Sequence, residues 1–340
     1  MRSGLGCIAL ACLLLLAGCA PRLQPPGNER QTPVVSAEPE TQWQAGDGRV
    51  LPLRRWLPEG GAPKAVILAL HGFNDYSNAF TEAAEWWAQR GIATYAPDQR
   101  GFGRAPFTGL WPGEDRIADD VIELSAALRR SHPDVPLYWL GESMGGAVAL
   151  HALSRSAGAA RPQAMVLTAP AVWGRATMPL HYRVALWLTS YTIPWKTFTG
   201  SGIKIQASDN IEMLRRLSRD PLFIKATRVD AIHGLVNLMD NAAAVEPTGL
   251  PVLLLYGVKD EVIPKKPVEA YVQKLRAVPG IDLRVGIYAQ GWHLLLRDLQ
   301  AETVWRDIAG WIADPRAPLT SRSERDTVPL FREDEKTDRD

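Results

Sequence analysis

Cysteine is almost absent from this sequence. The chain of 340 residues has three cysteines, Cys7, Cys12 and Cys19, and all of them lie within the first nineteen positions. The remainder of the chain therefore has no thiol for a disulfide, a zinc site or a cysteine nucleophile.

An excess of charge of one sign is also lacking. The 38 Lys and Arg residues nearly cancel the 37 Asp and Glu residues, which leaves a formal net charge of +1. Nucleic-acid-binding domains are usually strongly basic, so this balance argues against a nucleic acid partner. The 46% of hydrophobic residues is typical of a folded globular protein and excludes a wholly disordered chain or a disulfide-stapled miniprotein.

A long hydrophobic run is missing as well, but a short one lies near the start. Arg2 precedes an apolar segment over residues 8–20, which is too short to cross a bilayer comfortably and is typical of a secretory signal. The segment ends in Leu-Ala-Gly-Cys19, which resembles the lipobox of bacterial lipoproteins. The resemblance implies a signal peptide over residues 1–18 and a lipidated Cys19 that anchors the chain to a membrane. The alternatives are a plain cleaved signal and an uncleaved anchor.

The residue after Cys19 bears on the compartment. It is Ala20 and not aspartate. By the same resemblance, the expected location is the cell envelope, and the outer membrane if the host is Gram-negative.

Both ends of the mature chain are predicted to lack regular structure. Residues 19–40 contain five prolines among polar residues, which predicts a solvated spacer that holds the body clear of the lipid headgroups. Residues 315–340 are about half charged and have no hydrophobic period, which predicts a disordered tail.

Between these ends, short aliphatic runs alternate with amphipathic stretches. This pattern predicts an α/β protein with a mostly parallel sheet flanked by helices, formed by residues 41–170 and 250–314. The predicted strands are 65–70, 93–96, 137–140, 164–168, 252–256 and 283–288. The predicted helices are 78–90, 116–130, 144–156, 267–275 and 301–312.

The alternation is interrupted over residues 171–249. This segment carries apolar residues without a strand-like period, and its stretches 211–217 and 223–239 have helix-compatible spacing. We expect a mainly helical insertion. Its Trp, Met and Leu side chains belong either to the insertion's own core or to a lipid-binding face.

The motif Gly-Glu-Ser-Met-Gly-Gly at residues 141–146 directly follows a predicted strand and precedes a predicted helix. A nucleophilic serine at such a turn needs small neighbours because the backbone is strained and closely packed. The context therefore predicts Ser143 as a nucleophile at the carboxyl edge of the sheet.

A serine nucleophile needs a base and a carboxylate that orients the base. His293 follows the last predicted strand, and Asp260 follows the strand before it, with Glu261 as a competing neighbour. We predict His293 as general base and acid and Asp260 as its orienting partner. The chain order Ser143, Asp260, His293 is that of α/β-hydrolases.

The oxyanion of an acyl-transfer reaction needs two aimed N–H donors. We predict the backbone N–H of Met144, which follows the nucleophile, and that of Phe73 in the loop after the first strand of the alternation. A nearby loop contains Asp98 and Arg100, which we expect to pair with each other and to shape that loop.

Together these motifs resemble the monoglyceride lipase and lysophospholipase branch of the α/β-hydrolases, which is also described as serine-aminopeptidase-like. The resemblance covers residues 43–312, with one departure at Ala105, where the branch commonly has serine. Its motifs are His71-Gly72, Asp98-x-Arg100-Gly101-x-Gly103, Gly-Glu-Ser143-Met-Gly-Gly, Asp260, Trp292-His293 and Ser218-Arg-Asp220-Pro221-Leu222.

This resemblance implies a cap over the active site, an acyl-enzyme on Ser143 and esters of single-chain lipids as substrates. The serine mechanism itself needs no metal and no organic cofactor. A small-ester esterase or an aminopeptidase with the same triad is the enzymatic alternative. A non-catalytic envelope lipoprotein is the alternative from another class.

Overall fold

The computed structural model describes residues 20–28, 30–37, 41–200, 202, 205–325 and 329–331. The leader, with the predicted lipidation point Cys19, lies outside this described part. Within it, every helix is either too short or too polar to traverse a lipid bilayer.

The described strands form a central sheet and a small second sheet. The strands are β1 (Val34–Val35), β2 (Gln42–Gln44), β3 (Val50–Trp56), β4 (Ala65–Leu70), β5 (Ile92–Pro97), β6 (Leu137–Glu142), β7 (Ala164–Thr168), β8 (Thr197–Thr199), β9 (Ala226–Arg228), β10 (Pro251–Gly257) and β11 (Asp282–Tyr288). The order in the central sheet is β1-β2-β3-β5-β4-β6-β7-β10-β11, while β8 and β9 pair with each other. All pairs from β5 to β11 across the central sheet are parallel, and β1, β2 and β3 add an antiparallel edge.

The helices pack on the faces of the central sheet or lie in the insertion. They are α1 (Thr81–Ala88), α2 (Glu114–Ser131), α3 (Met144–Arg155), α4 (Leu180–Thr192), α5 (Ile211–Arg219), α6 (Val229–Ala244), α7 (Lys265–Arg276) and α8 (Ala301–Ala313). Two apolar clusters form the core and contain the inward-facing residues of the two sheet faces. The predicted α/β fold with a mostly parallel sheet is confirmed.

Each of the six predicted strands lies within an observed strand. Residues of β4, β5, β6 and β7 are buried along their whole length, because helices cover both faces of the parallel part of the sheet. Continuous aliphatic runs are therefore a clear signal for these strands. The antiparallel edge strands β1, β2 and β3 were not predicted, since they are short or only half-buried and contain several polar residues.

The segment predicted as a solvated spacer lies against the body over most of its described length. Gln24 N–H donates to Trp111 O at 2.9 Å, Gln31 N–H donates to Gly46 O, and β1 pairs with β2. The prediction of a free spacer is wrong for these residues. The reason is that backbone groups of a proline-rich segment can still pair with an exposed sheet edge and with loop carbonyls.

The predicted disordered tail is also ordered where the structure describes it. Arg325 N–H donates to Val285 O, and Ile287 N–H donates to Ser323 O. Leu319 is buried. The tail covers the outer edge of β11, whose backbone groups would otherwise be unpaired at the end of the sheet. The composition of the tail does not predict this packing, because its few apolar residues lie among many charged ones.

Residues between β7 and β10 form the insertion, which contains α4, α5, α6 and the β8–β9 pair. The predicted helix over 211–217 corresponds to α5. The helix predicted over 223–239 begins only at Val229, because Ala226–Arg228 pairs as a strand with Thr197–Thr199. A strand partner distant in sequence therefore overrides the local helical spacing.

Candidate active site

Ser143 lies at the turn between β6 and α3. Its backbone has φ of 53° and ψ of −115°, a conformation that non-glycine residues rarely adopt. A Cβ at Gly145 would lie 1.9 Å from Leu70 O, and one at Gly141 would lie 2.5 Å from Gly145 C. Only glycine fits at these two positions, and their close packing maintains the strained turn that carries the serine.

His293 and Asp260 form a buried hydrogen-bonded pair. His293 Nδ1–H donates to Asp260 Oδ2 at 2.8 Å. Burial disfavours the charged imidazole, but the Asp260 charge, its hydrogen bond and the Glu142 charge together raise the pKa of His293 above its usual value. Because the Nδ1–H of His293 is bonded to Asp260, the proton is on Nδ1, and Nε2 is the nitrogen that can accept a proton.

The loop after β10 decides which carboxylate pairs with the histidine. Asp260 Oδ1 accepts the backbone N–H groups of Val262 and Ile263 at 2.7 and 2.9 Å, which directs Oδ2 at His293. Glu261 instead accepts the backbone N–H of Gln206. The structure therefore places Asp260 against His293 and turns Glu261 toward the insertion.

All three predicted residues follow strands that lie near one another in the sheet. Ser143 follows β6, Asp260 follows β10 and His293 follows β11, so the parallel arrangement brings them to one edge. Ser143 and His293 are not hydrogen bonded to each other in the described structure. Such contacts in unliganded enzymes are often long and tighten in the substrate complex.

The two predicted oxyanion donors flank the serine. Met144 is the first residue of α3, where backbone N–H groups have no intrahelical partner. Phe73 follows Gly72, and a Cβ at Gly72 would lie 3.5 Å from Ser143 Cβ, so the loop after β4 runs beside the nucleophile. The placement is compatible with the predicted role of both N–H groups.

His71 holds this loop in place. Its Nε2 accepts the N–H of Gln99 at 3.0 Å, so its Nδ1 carries the proton and donates to Gly72 O at 2.9 Å. Complete burial lowers the pKa of His71, which keeps the ring neutral and suited to this pattern. The sequence placed this histidine at a strand end but did not indicate its partners.

Sequence reasoning missed a buried ion cluster beside the nucleophile. Arg297 donates to Glu142 Oε1 at 2.8 Å and forms an ion pair with Asp75 Oδ2 at 2.7 Å. Burial raises the pKa of Glu142, and Arg297 opposes that shift. The cluster joins the loop after β4, the nucleophile turn and the segment after His293. No sequence signal links these three residues, because they are far apart along the chain.

A second missed residue is Asp298. It accepts the Ser208 hydroxyl at 2.6 Å and the backbone N–H of Trp292, which precedes His293. Burial raises the pKa of Asp298 to about 6, although both hydrogen bonds lower it. Asp298 therefore ties the histidine loop to the insertion.

The expected pairing of Asp98 with Arg100 is wrong. Asp98 accepts the backbone N–H groups of Ser77 and Arg104, whereas the Arg100 guanidinium donates to Asp120 and Asp47. Both residues still shape the loops around the site. The two side chains diverge because Asp98 is needed as a backbone acceptor at the strand end.

The insertion is attached directly to the oxyanion loop. Ile224 N–H donates to Asn74 O at 3.0 Å, and Asn74 Nδ2 donates to Thr227 Oγ1 at 2.7 Å. Tyr76 OH donates to Asp220 Oδ2 at 2.6 Å. The insertion thus contacts the same loop that carries Gly72 and Phe73, as a cap over the site requires.

Metal-ligand types do not gather in the part of the chain that the structure describes. No group of three or more His, Cys, Asp or Glu side chains there is arranged to hold a metal ion.

A mostly parallel sheet with a serine at a strained strand–helix turn, and with a His–Asp pair after later strands, defines the α/β-hydrolase class of serine hydrolases. The protein is a serine ester hydrolase of this class. Within it, the chain belongs to the family described as serine aminopeptidase, S33, whose model matches residues 61–300.

Two curated relatives carry similar names. The chain is 26% identical over 278 residues to the monoglyceride lipase of Mus musculus, covering 78% of this chain and 88% of the relative. It is 26% identical over 273 residues to the monoacylglycerol lipase of Mycolicibacterium smegmatis, covering 76% of this chain and 90% of the relative.

A solved structure is also similar in fold. It is a soluble variant of monoglyceride lipase from Saccharomyces cerevisiae in complex with a substrate analog, with a TM-score of 0.69 at 18% identity. That alignment covers 82% of this chain and 96% of the yeast chain.

Proposed function

We propose that the protein hydrolyses carboxylic esters of single-chain lipids, monoacylglycerols or lysophospholipids, through an acyl-enzyme on Ser143. The observation that carries the proposal is the strained Ser143 turn at the same sheet edge as the buried His293–Asp260 pair. Two relatives that align over most of this chain and most of their own length are named monoglyceride lipase and monoacylglycerol lipase, which supports the substrate class.

The chemistry needs only this chain's residues and water. His293 Nε2 takes the proton of Ser143 Oγ as the oxygen attacks the ester carbonyl, and the N–H groups of Met144 and Phe73 stabilise the oxyanion. His293 then gives the proton to the leaving alcohol. Water attacks the acyl-enzyme with the same proton transfers, which releases the fatty acid and restores the serine. Asp260 stabilises the imidazolium that forms in both steps.

Replacement of Ser143 tests the nucleophile. Ser143→Ala removes the attacking oxygen, so turnover of p-nitrophenyl esters should fall at least about a thousandfold, down to what binding and the oxyanion hole alone supply. Labelling by a fluorophosphonate probe should disappear. Ser154→Ala is the matched control, because Ser154 is an exposed serine on α3. Retained labelling of Ser143→Ala would contradict the proposal, and absent labelling of the wild-type chain would favour a non-catalytic lipoprotein.

Ester and amide preference distinguishes the enzymatic alternatives. Monoacylglycerols of several chain lengths, a short-chain ester and an amino-acyl amide should be compared on one enzyme preparation. We expect the highest kcat/KM for a long-chain monoacylglycerol or lysophospholipid. A preference for the amide would identify an aminopeptidase, and a preference for the short ester would identify a small-ester esterase.

We further propose that lipidation of Cys19 anchors the protein in the cell envelope, with its cap facing the membrane. Support comes from the path of the N-terminal segment: Arg22 N–H donates to Asp230 Oδ2, and Asp230 N–H donates to Pro194 O. Cys19 lies three positions before Arg22 in the chain, a reach of roughly 10 Å when fully extended. An acyl chain on Cys19 would thus enter the bilayer near the insertion.

The insertion has an apolar surface suited to this position. Helix α4 carries large apolar side chains at spacings that share one helix face, each of them exposed. We define this apolar cap face as Leu180, Val184, Trp187, Leu188 and Tyr191, together with Trp195 just beyond the helix. Aromatic and aliphatic side chains of this kind are favoured at a lipid interface.

Membrane fractionation tests the anchor. In a bacterial host, the full chain should be labelled by a palmitate analogue and should fractionate with membranes. Cys19→Ala should lose both, whereas Cys12→Ala, which alters another cysteine of the leader, should keep both. Labelling that survives Cys19→Ala would place the lipid elsewhere and contradict the proposal.

A further inference from the structure

A wide surface pocket that is open to solvent lies at the junction between the core and the insertion. Its volume of about 570 Å³ is large enough to admit a phosphate group. Tyr76 and Arg104 line it from the core, and α5 with the following turn lines it from the insertion. We call it the arginine pocket, lined by Tyr76, Arg104, Arg216, Arg219, Asp220, Pro221 and Leu222.

The lining of the arginine pocket has three guanidinium groups and one carboxylate, so its formal charge is positive. The guanidinium groups of Arg104 and Arg219 have no hydrogen bond or ion pair within the described residues, and both side chains are exposed. Arg216 lies 3.7 Å from Glu82, a pair in which both side chains are more than half exposed and which is therefore weak. The buried arginines elsewhere, in contrast, are matched by carboxylates.

The carboxylate of the pocket, Asp220, is hydrogen bonded to groups other than the arginines, and its single negative charge offsets only part of the charge of three guanidinium groups. Asp220 Oδ2 accepts the Tyr76 hydroxyl at 2.6 Å, and Asp220 Oδ1 accepts the backbone N–H of Leu222 at 2.8 Å. Both oxygens are thus used to hold the turn after α5 against the core. They fix the wall of the pocket and leave the guanidinium N–H groups available.

We propose that the arginine pocket binds a phosphate group. Guanidinium groups are planar donors that match phosphate oxygens two at a time, and three of them line one cavity here. Tyr76 belongs to the same loop as Gly72, which runs beside Ser143. A phosphate in the pocket is either the headgroup of a lysophospholipid whose ester lies at Ser143 or a free phosphate. The headgroup form rests on the function proposed above.

Direct binding tests the pocket without any need for catalysis. The Tm of the Ser143→Ala chain should be measured in inorganic phosphate and in chloride at equal ionic strength. Phosphate should raise the Tm of this chain. In a chain that carries Arg104→Gln and Arg219→Gln in addition to Ser143→Ala, phosphate should no longer raise Tm. Arg215→Gln should keep the rise, because Arg215 is about as exposed as Arg216 on the same helix but does not line the pocket.

Kinetics on a matched substrate pair distinguishes the two phosphate sources. Monolauroylglycerol and monolauroylglycerol phosphate have the same acyl chain and differ in the phosphate. If the headgroup is the ligand, the double change Arg104→Gln with Arg219→Gln should lower kcat/KM for the phosphate-bearing ester about tenfold more than for the uncharged ester. Arg104→Lys with Arg219→Lys retains the charge and should restore part of this selectivity.

Each outcome has one meaning. If the Arg104→Gln and Arg219→Gln changes abolish the phosphate-dependent Tm rise and also the preference for the phosphate-bearing ester, the pocket binds the substrate headgroup. Loss of the Tm rise with selectivity intact assigns it to free phosphate. If phosphate does not raise the Tm of the Ser143→Ala chain, and the double change lowers kcat/KM equally for both esters, the proposal is overturned. Failure of the proposed hydrolase function would appear separately, as absent fluorophosphonate labelling of the wild-type chain.

Discussion

Glu142 introduces a carboxylate into the interior directly beside the nucleophile. Burial of a charge is costly unless it is paired, and Arg297 supplies the pair while also binding Asp75. The cluster has two carboxylates and one guanidinium, so its formal charge is negative next to His293. Through this charge Glu142 contributes to the raised pKa of His293.

Glu142→Gln should shift the pH dependence of catalysis. His293 must be neutral to act as a base, so activity rises with pH through the pKa of His293. Because the Glu142 charge favours the imidazolium, its removal lowers that pKa and moves the acid limb of the kcat/KM profile to lower pH. A water-soluble ester measured from acidic to neutral pH provides the profile. Glu261→Gln is the control, and an unmoved acid limb for Glu142→Gln would refute this electrostatic role.

At the scale of elements, the edges of the central sheet are covered by segments that look disordered from composition. The N-terminal segment adds β1 at one end, and residues of the tail pair with β11 at the other. Unpaired strand edges invite association with other chains, so covering them favours a monomeric sheet. The parallel centre of the sheet needs no such cover.

The tail should contribute measurably to stability. Leu319 is 3% exposed and packs in a core cluster, whereas Leu299 is 74% exposed. Leu319→Ala should lower the free energy of unfolding by about 2–5 kcal/mol, because it removes buried methyl groups and leaves a cavity. Leu299→Ala should change it by less than about 0.5 kcal/mol. Urea unfolding followed by tryptophan fluorescence measures both, and equal values would show that the tail does not pack in solution.

At the scale of the whole molecule, the first described residues of the chain lie close to the apolar cap face. The N-terminal segment contacts the start of α6 at Asp230, which is bonded to the chain just before Trp195. With the proposed lipid on Cys19, a short tether would hold the cap at the lipid surface, where single-chain lipid esters are found. This arrangement differs from a body held clear of the headgroups by a flexible spacer.

The apolar cap face should bind lipid even without the anchor. Trp187 is 63% exposed, so Trp187→Ser removes apolar area without disturbing the core. A chain that begins at Ala20 should bind phosphatidylcholine vesicles, and Trp187→Ser should weaken this binding by about tenfold, as expected for loss of ~1–2 kcal/mol of buried aromatic surface. Leu299→Ser is the control on the core domain. Vesicle flotation measures the bound fraction, and equal binding of all three chains would exclude this face as the contact.

Short local patterns in the sequence predict the parallel strands, the class of enzyme and the candidate residues Ser143, His293 and Asp260. These patterns are aliphatic runs, a glycine-bounded serine and polar residues at strand ends. The choice of Asp260 over Glu261 as the partner of His293, in contrast, depends on how distant segments pack. The folded chain also pairs Arg297 with Glu142, places described residues near both termini along the sheet edges, and lines one pocket with three arginines. These features join residues far apart in the chain, and no local period or spacing encodes a contact that forms only when distant segments pack together.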